Sequence, residues 1–270
     1  MNIAFIGGGN MASAMISGLL QKGIAAACIR VAELAADSRE RLARDYGVAT
    51  HAEIATACAG CDVIVLAVKP QQLRAVTNEI VPLLKEQLVV SIAAGVRCAD
   101  LSRWLGGHAR IVRAMPNTPA LVQAGMSGLY AMSAVTSEER MQAEELLSAC
   151  GATLWLLHEE MLDVVTAVSG SGPAYVFYFI EALTQAAIEL GLTPDAARTL
   201  SLQTFLGAAT LASRSGEDAA TLRARVTSKG GTTERAIAEL DAAHVKMLIV
   251  RAVHAAAQRA RELGDQLGKD

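Results

Sequence analysis

Short apolar runs, rich in β-branched residues, recur through the first 160 or so positions of the chain, and a longer amphipathic stretch follows each one. The runs at 3–6, 28–31, 63–68, 88–92 and 111–114 are nearly continuous rather than alternating, which predicts strands covered on both faces. Strands that alternate with helices in this way build a parallel, doubly wound α/β sheet. The intervening helices are expected after Gly9, Asp37, Ala52, Gln71 and Cys98, and two further strands at 126–130 and 153–157 flank a helix over 137–150.

From about Glu159 the strand pattern stops. Helices are predicted over 173–190, 194–213, 233–240 and 242–263, with Pro173 and Pro194 where a first helical turn tolerates proline. The change predicts two domains, 1–158 α/β and 159–270 all-helical. The apolar faces of the later helices are too wide for one small domain to cover, so a helical dimer interface is expected.

Composition narrows the function. With 52% hydrophobic but only 4% aromatic residues, the interior is packed by alanine and leucine. A net charge of -3, with Lys and Arg scattered, excludes an electrostatic footprint for nucleic acid. Met1 leads straight into a strand-like run without a basic leader, and no apolar run reaches the roughly 18 residues that cross a bilayer, so no membrane association and a cytoplasmic location are expected. Five cysteines are an odd number, and the one CxxC, Cys58 to Cys61, has no second pair, so neither a disulfide framework nor a metal site is expected.

Gly7-Gly8-Gly9-Asn10-Met11-Ala12 follows the first strand and opens a helix, matching G-x-G-x-x-A, the dinucleotide fingerprint of a Rossmann-type domain. Glu33 lies 24 residues beyond Gly9, at the end of the second strand, where a carboxylate accepts from ribose hydroxyls and favours NAD. Arg39 or Arg41 folding over a 2′-phosphate would instead admit NADP, so the preference stays open. Three loops share the carboxyl ends of the strands: Ala67-Val68-Lys69-Pro70, Ala93-Ala94-Gly95 and Met115-Pro116-Asn117-Thr118-Pro119. The small residues at 93–95 leave room for a nicotinamide and its ribose, Lys69 is a coenzyme contact or a strand-end lysine, and Asn117 and Thr118 offer uncharged hydrogen bonds. No His–Asp pair stands near these loops. The chemistry should therefore need little proton transfer, as in hydride addition to an imine that is already protonated.

A second polar segment, Val226-Thr-Ser-Lys-Gly-Gly-Thr-Thr-Glu-Arg-Ala-Ile237, opens a late helix. Free N–H donors at a helix start suit an anion, Gly230 and Gly231 allow close approach, and Ser228, Thr232 and Thr233 add hydroxyls. By itself the segment reads equally as a carboxylate site or as a surface helix cap.

In these motifs, and in Ser169-Gly-Ser-Gly-Pro-Ala-Tyr175, the chain resembles the pyrroline-5-carboxylate reductases nearly end to end. The resemblance implies reduction of a cyclic imine to L-proline by a Rossmann domain joined to a helical domain that intertwines with a second protomer, an active site at the dimer interface, and larger rings of dimers. It implies coenzyme contacts at Gly7 to Ala12, Ala67 to Pro70 and Ala93 to Gly95, and a substrate site of Val226, Gly231, Thr232 and Thr233. The Thr233 hydroxyl would then meet the ring nitrogen. NADP(H) is the implied coenzyme, with NAD(H) as the alternative because Glu33-Leu34 replaces the small polar residue and arginine common in the family. The stretch His51-Ala-Glu-Ile54 also departs from it, where relatives place an asparagine near the coenzyme. A β-hydroxyacid dehydrogenase would need a lysine one turn into the helix after Pro173, which reads Ala-Tyr-Val-Phe-Tyr-Phe instead. A non-catalytic dinucleotide sensor would have no use for the 226–237 segment.

Overall fold

The computed structural model describes residues 1–269. An eight-stranded sheet runs in the order β3-β2-β1-β4-β5-β6-β7-β8. Its strands are β1 (Ile3–Ile6), β2 (Ile29–Ala32), β3 (Ala49–His51), β4 (Val63–Leu66), β5 (Leu88–Ser91), β6 (Ile111–Met115), β7 (Gly125–Ala131) and β8 (Gly151–Trp155). Helices α1 (Asn10–Gln21), α2 (Ala36–Tyr46), α3 (Ile54–Cys58), α4 (Pro70–Ile80), α5 (Cys98–Trp104) and α6 (Ser137–Ser148) cover it.

Successive side chains on a strand point to opposite faces, and each face has its own core. Ile3, Phe5, Val63, Val65, Leu88 and Val90 pack with Met15, Ile16 and Leu19 of α1 and Leu146 of α6. On the other face Ala4, Ile6, Ile64, Leu66 and Val89 pack with Leu73 of α4 and Leu101 of α5. This double burial is why β1, β4 and β5 are buried at every position and read as nearly continuous apolar runs.

Two features of the sheet depart from the sequence reading. β3 is a three-residue edge strand, Ala-Thr-His, half-polar and partly exposed, and so carried no apolar signal. β7 runs antiparallel to β6, pairing Met115 with Gly128 and Val112 with Ala131. The connection between them, containing only a 3₁₀ turn at Thr118–Val122, is too short for the helical crossover that a parallel pair needs.

By its contacts the chain divides into two units, one of residues 1–171 with the segment from Ala256 onward, the other Gly172–Ala255. The first unit includes α7 (Met161–Val165), with Leu162 fully buried, and a π-helical turn, Thr166–Gly170. The second is made of α8 (Gly172–Glu189), α9 (Pro194–Ser215), α10 (Ala219–Arg225), α11 (Thr232–Ala242) and the start of α12 (Val245–Leu267). Thr193 and Asp218 cap α9 and α10 through their side-chain oxygens, and Gly216 ends α9 in the left-handed conformation. α10 is an addition to the helices expected from sequence. In this unit α8 has no buried residue despite its apolar sequence. Tyr178, Phe179, Leu183, Phe205, Leu248 and Ile249 line an open apolar groove of about 750 Å³, a surface of the kind that protein partners cover.

Candidate active site

The chain passes from β1 to β2 and β3 on one side and returns to place β4 on the other, so the carboxyl ends of β1 and β4 form the switch point where ligands bind open α/β sheets. The turn after β1 is pinned there by hydrogen bonds from Gly7 N to Ala32 O and from Ala67 N to Ile6 O, each 2.8 Å. Its three glycines answer different demands. Gly7 has φ +100°, and a Cβ on it would stand 2.8 Å from the Ala67 oxygen; one on Gly8 would stand 2.5 Å from Leu42 Cδ1. A Cβ on Gly9 would meet nothing within 4 Å. The protein's own packing therefore requires the first two glycines and leaves the third unexplained. Gly9 is also the N-cap of α1 with no side chain capping the helix, and Gly9 and Asn10 are exposed there, so the first turn of α1 opens onto free space. This start is shaped for a diphosphate brought close to backbone, and a dinucleotide fits it.

At the end of β2 the Glu33 carboxylate accepts from Gly8 N at 2.9 Å through Oε2 and from Ala35 N at 3.0 Å through Oε1. It thus ties the glycine turn to β2, a bracing role the sequence reading did not include. Arg39 Nη1 donates to the carbonyls of Glu33 and Leu34, and Arg41 Nη2 to the Gly8 carbonyl at 3.4 Å. Both arginines gather at this strand end.

The other crevice loops are set by backbone. Ala67 and Val68 leave β4, Lys69 is the extended N-cap of α4, and Pro70 begins that helix. Ala93 is buried, Ala94 exposed, and Gly95 holds φ +81°. Asn117 differs from expectation. Its Nδ2 donates to both the carbonyl and the hydroxyl of Ser169 at 3.1 Å, and its Oδ1 accepts from Met126 N at 2.9 Å. An amide nitrogen has two hydrogens, so both donors are spent in joining the end of β6 to the Ser169 segment.

In the second unit, Gly230 at φ +73° turns the chain into α11. Gly231 is the N-cap, again without a side-chain cap, and a Cβ on it would collide with Ser228 Oγ at 2.6 Å. Glu234 Oε2 accepts from Gly230 N at 2.7 Å, so the acidic group of the first turn is bound to the loop just before the helix. Thr232 and Val226 are exposed and Thr233 is half-buried. Glu234 follows the glycine pair at capping-box distance, a spacing legible in the sequence.

A buried charge cluster escaped sequence reading altogether. Arg113 points from β6 and donates to Glu159 Oε1 at 2.8 Å, and the same oxygen accepts from Cys98 N at 2.8 Å. Asp163, only 8% exposed, lines a small cavity with Arg97, Arg113, Glu159 and Glu160. Burial pushes its carboxyl up, against the pull of Arg113, Arg97 and Arg261. Burial likewise pushes up the Cys98 thiol, and at Cys61 a hydrogen bond with Cys58 lowers the thiol. Among the described residues no three His, Cys, Asp or Glu side chains gather as a metal site, and no helix is long and apolar enough to cross a membrane.

Residues 159–263 match the family described as pyrroline-5-carboxylate reductase dimerisation, and residues 2–95 match NADP oxidoreductase, coenzyme F420-dependent. A pyrroline-5-carboxylate reductase of Pseudomonas aeruginosa is 50% identical over 99% of this chain and 98% of its own length; one from Pisum sativum is 37% identical over 97% and 95%. The solved pyrroline-5-carboxylate reductase of Coxiella burnetii superposes with a TM-score of 0.93 at 42% identity, covering 97% of this chain and 98% of that one. The Plasmodium falciparum pyrroline carboxylate reductase, solved with NADP bound, superposes at 0.87 with 29% identity and 98% coverage of both chains. The glycine turn, the open start of α11 and end-to-end identity of this order place the chain in the pyrroline-5-carboxylate reductase family, the NAD(P)H-dependent oxidoreductases that convert 1-pyrroline-5-carboxylate to proline in the last step of proline biosynthesis.

Proposed function

We propose that this chain reduces 1-pyrroline-5-carboxylate to L-proline with residues 1–158 holding the coenzyme and 159–270 the substrate and the partner protomer. The observation that carries the division of labour is the pair of helices that start on a glycine N-cap without a side-chain cap, one at Gly9 and one at Gly231. The first, with Gly7, Gly8, Asn10, Met11 and Ala12, takes the diphosphate, and the backbone of Ala67 to Pro70 and Ala93 to Gly95 follows the coenzyme toward its nicotinamide. When bound, the reduced nicotinamide supplies a hydride.

The second helix start takes the substrate carboxylate on the N–H groups of Thr232 and Thr233, with Gly231, whose own N–H donates to the Ser228 carbonyl at 3.0 Å, leaving room for its approach and Val226 against the ring. The Thr233 hydroxyl accepts from the protonated ring nitrogen and keeps the C=N carbon electrophilic. As the hydride adds to that carbon, the π electrons move to nitrogen and leave a secondary amine, so no further proton donor is required. Holding two reactants in this relation is the catalytic contribution.

Arg39 and Arg41 hold a 2′-phosphate, making NADPH the coenzyme, and the Glu33 carboxylate keeps NADH acceptable. Dimers close through the groove on α8, α9 and α12, and assemble further into rings in a cytoplasmic enzyme. The test is a purified-protein assay with 1-pyrroline-5-carboxylate and each reduced coenzyme. Proline formation matched to loss of nicotinamide absorbance is expected with both; no turnover with either would overturn the proposal.

A further inference from the structure

We infer that the last turns of α12 position the coenzyme loop Ala93–Gly95, with Gly264 and Arg97 as the positioning residues. The inference rests on the proposal that this loop contacts the coenzyme.

Gly95 leaves β5 at φ +81°, a conformation that side-chain-bearing residues rarely adopt. A Cβ on Gly95 would stand 3.0 Å from Leu267 Cδ1, and one on Gly264 would stand 3.3 Å from the Gly95 oxygen and 3.2 Å from Arg97 Nε and Nη2. Two glycines, one in the loop and one in the helix, thus come close together, flanked by the side chains of Leu267 and Arg97. Arg97 closes over this contact and donates from Nη2 to Asp265 Oδ1 at 2.6 Å, and Arg103 Nη2 donates to the Gly268 carbonyl at 2.8 Å. Beneath them Leu267 packs on the core that contains Ala93 and Val96.

The ion pair is exposed at both ends and holds little by itself. What holds the loop is close packing: a methyl group at Gly264 would require the Gly95 carbonyl and the Arg97 guanidinium to give by a few tenths of an ångström, and a larger side chain by more. The family's dimerisation match ends at residue 263, one residue before this contact begins. Neither the glycine fingerprint nor the substrate loop accounts for a glycine, an arginine and an aspartate that meet at this place. A loop displaced by a fraction of an ångström would misdirect the nicotinamide while leaving the imine's anchor at α11 untouched.

The test uses the full chain and measures the coenzyme dissociation constant, kcat and both KM values in Gly264→Val, with Gly264→Ala and Arg97→Gln as milder changes should the valine variant not fold. The expected result is coenzyme binding weakened about tenfold and kcat lowered about ten- to hundredfold in Gly264→Val, a smaller loss of the same kind in the mild variants, and a KM for 1-pyrroline-5-carboxylate within about twofold of the parent. Ala94→Asp, an exposed change in the loop itself, should weaken coenzyme binding by placing a carboxylate beside it. Normal coenzyme binding in folded Gly264→Ala and Arg97→Gln, with Ala94→Asp impaired, overturns the positioning role and leaves the loop assignment intact. Normal binding in Ala94→Asp overturns the loop assignment and the inference with it.

Discussion

Two residues carry most of the chemical weight of the proposed function, and each can be tested alone. Removing the Thr233 hydroxyl takes one hydrogen bond from a charged group, worth about 1.5–3 kcal/mol. Thr233→Ala should therefore lower kcat/KM for the imine about ten- to hundredfold while coenzyme affinity, measured by fluorescence titration, stays the same. Equal losses in both would make the α11 start a folding element. Glu33 holds Gly8 N at 2.9 Å and stands where a 2′-phosphate would come near the two arginines. Glu33→Gln keeps an acceptor and removes the charge, so the ratio of kcat/KM for NADPH to that for NADH should rise about tenfold, the equivalent of about 1.4 kcal/mol. An unchanged ratio would mean that Glu33 only braces the turn. Residue types at fixed spacings made the glycines, Glu33 and the 226–233 loop legible in the sequence. The pair of hydrogen bonds from Asn117 to Ser169 was not, because the two lie 52 positions apart and only the packing of β6 against the π-helical turn joins them.

Among the elements, the strands with two buried faces were read within a residue or two, since burial on both sides writes the same apolar run whatever the neighbours are. β3 and the direction of β7 were hidden, one because it is short and exposed, the other because strand direction follows from the connecting loop. α7 was also silent, yet it brings Asp163 beside Arg97, Arg113, Arg261 and Glu159. Burial raises this carboxyl, so the folded chain keeps the proton to higher pH than the unfolded chain. Stability then falls as pH climbs from the ordinary carboxylate range to the folded value, and stays lower above it. Asp163→Asn should accordingly raise Tm at about pH 7, the gain disappearing below about pH 4 where both states are protonated. A lower Tm at neutral pH would show that the carboxylate's attraction to the three arginines outweighs its desolvation.

For the whole molecule, the wide apolar faces noted in the helical sequence reappear as exposed side chains on α8, α9 and α12. Leu206 is 62% and Leu248 51% exposed in the single chain, and fully burying a leucine is worth about 1.5–3 kcal/mol. Placing a carboxylate there, as Leu206→Glu or Leu248→Glu, should turn a dimer into a monomer in sedimentation and abolish most turnover. A parent chain that sediments as a monomer at micromolar concentration would overturn the assignment of this face.

The sequence by itself determined the α/β-then-helical order, the dinucleotide turn and the family, because each depends on residues close together in the chain, where spacing alone fixes geometry. Only the tertiary structure decided which donors were already spent, as at Asn117 and Gly8, and which glycines the protein's own packing requires. It alone brought Arg97 to Asp265 and Arg113 to Glu159. Such pairings depend on how distant segments pack, and packing leaves no periodic trace in either segment.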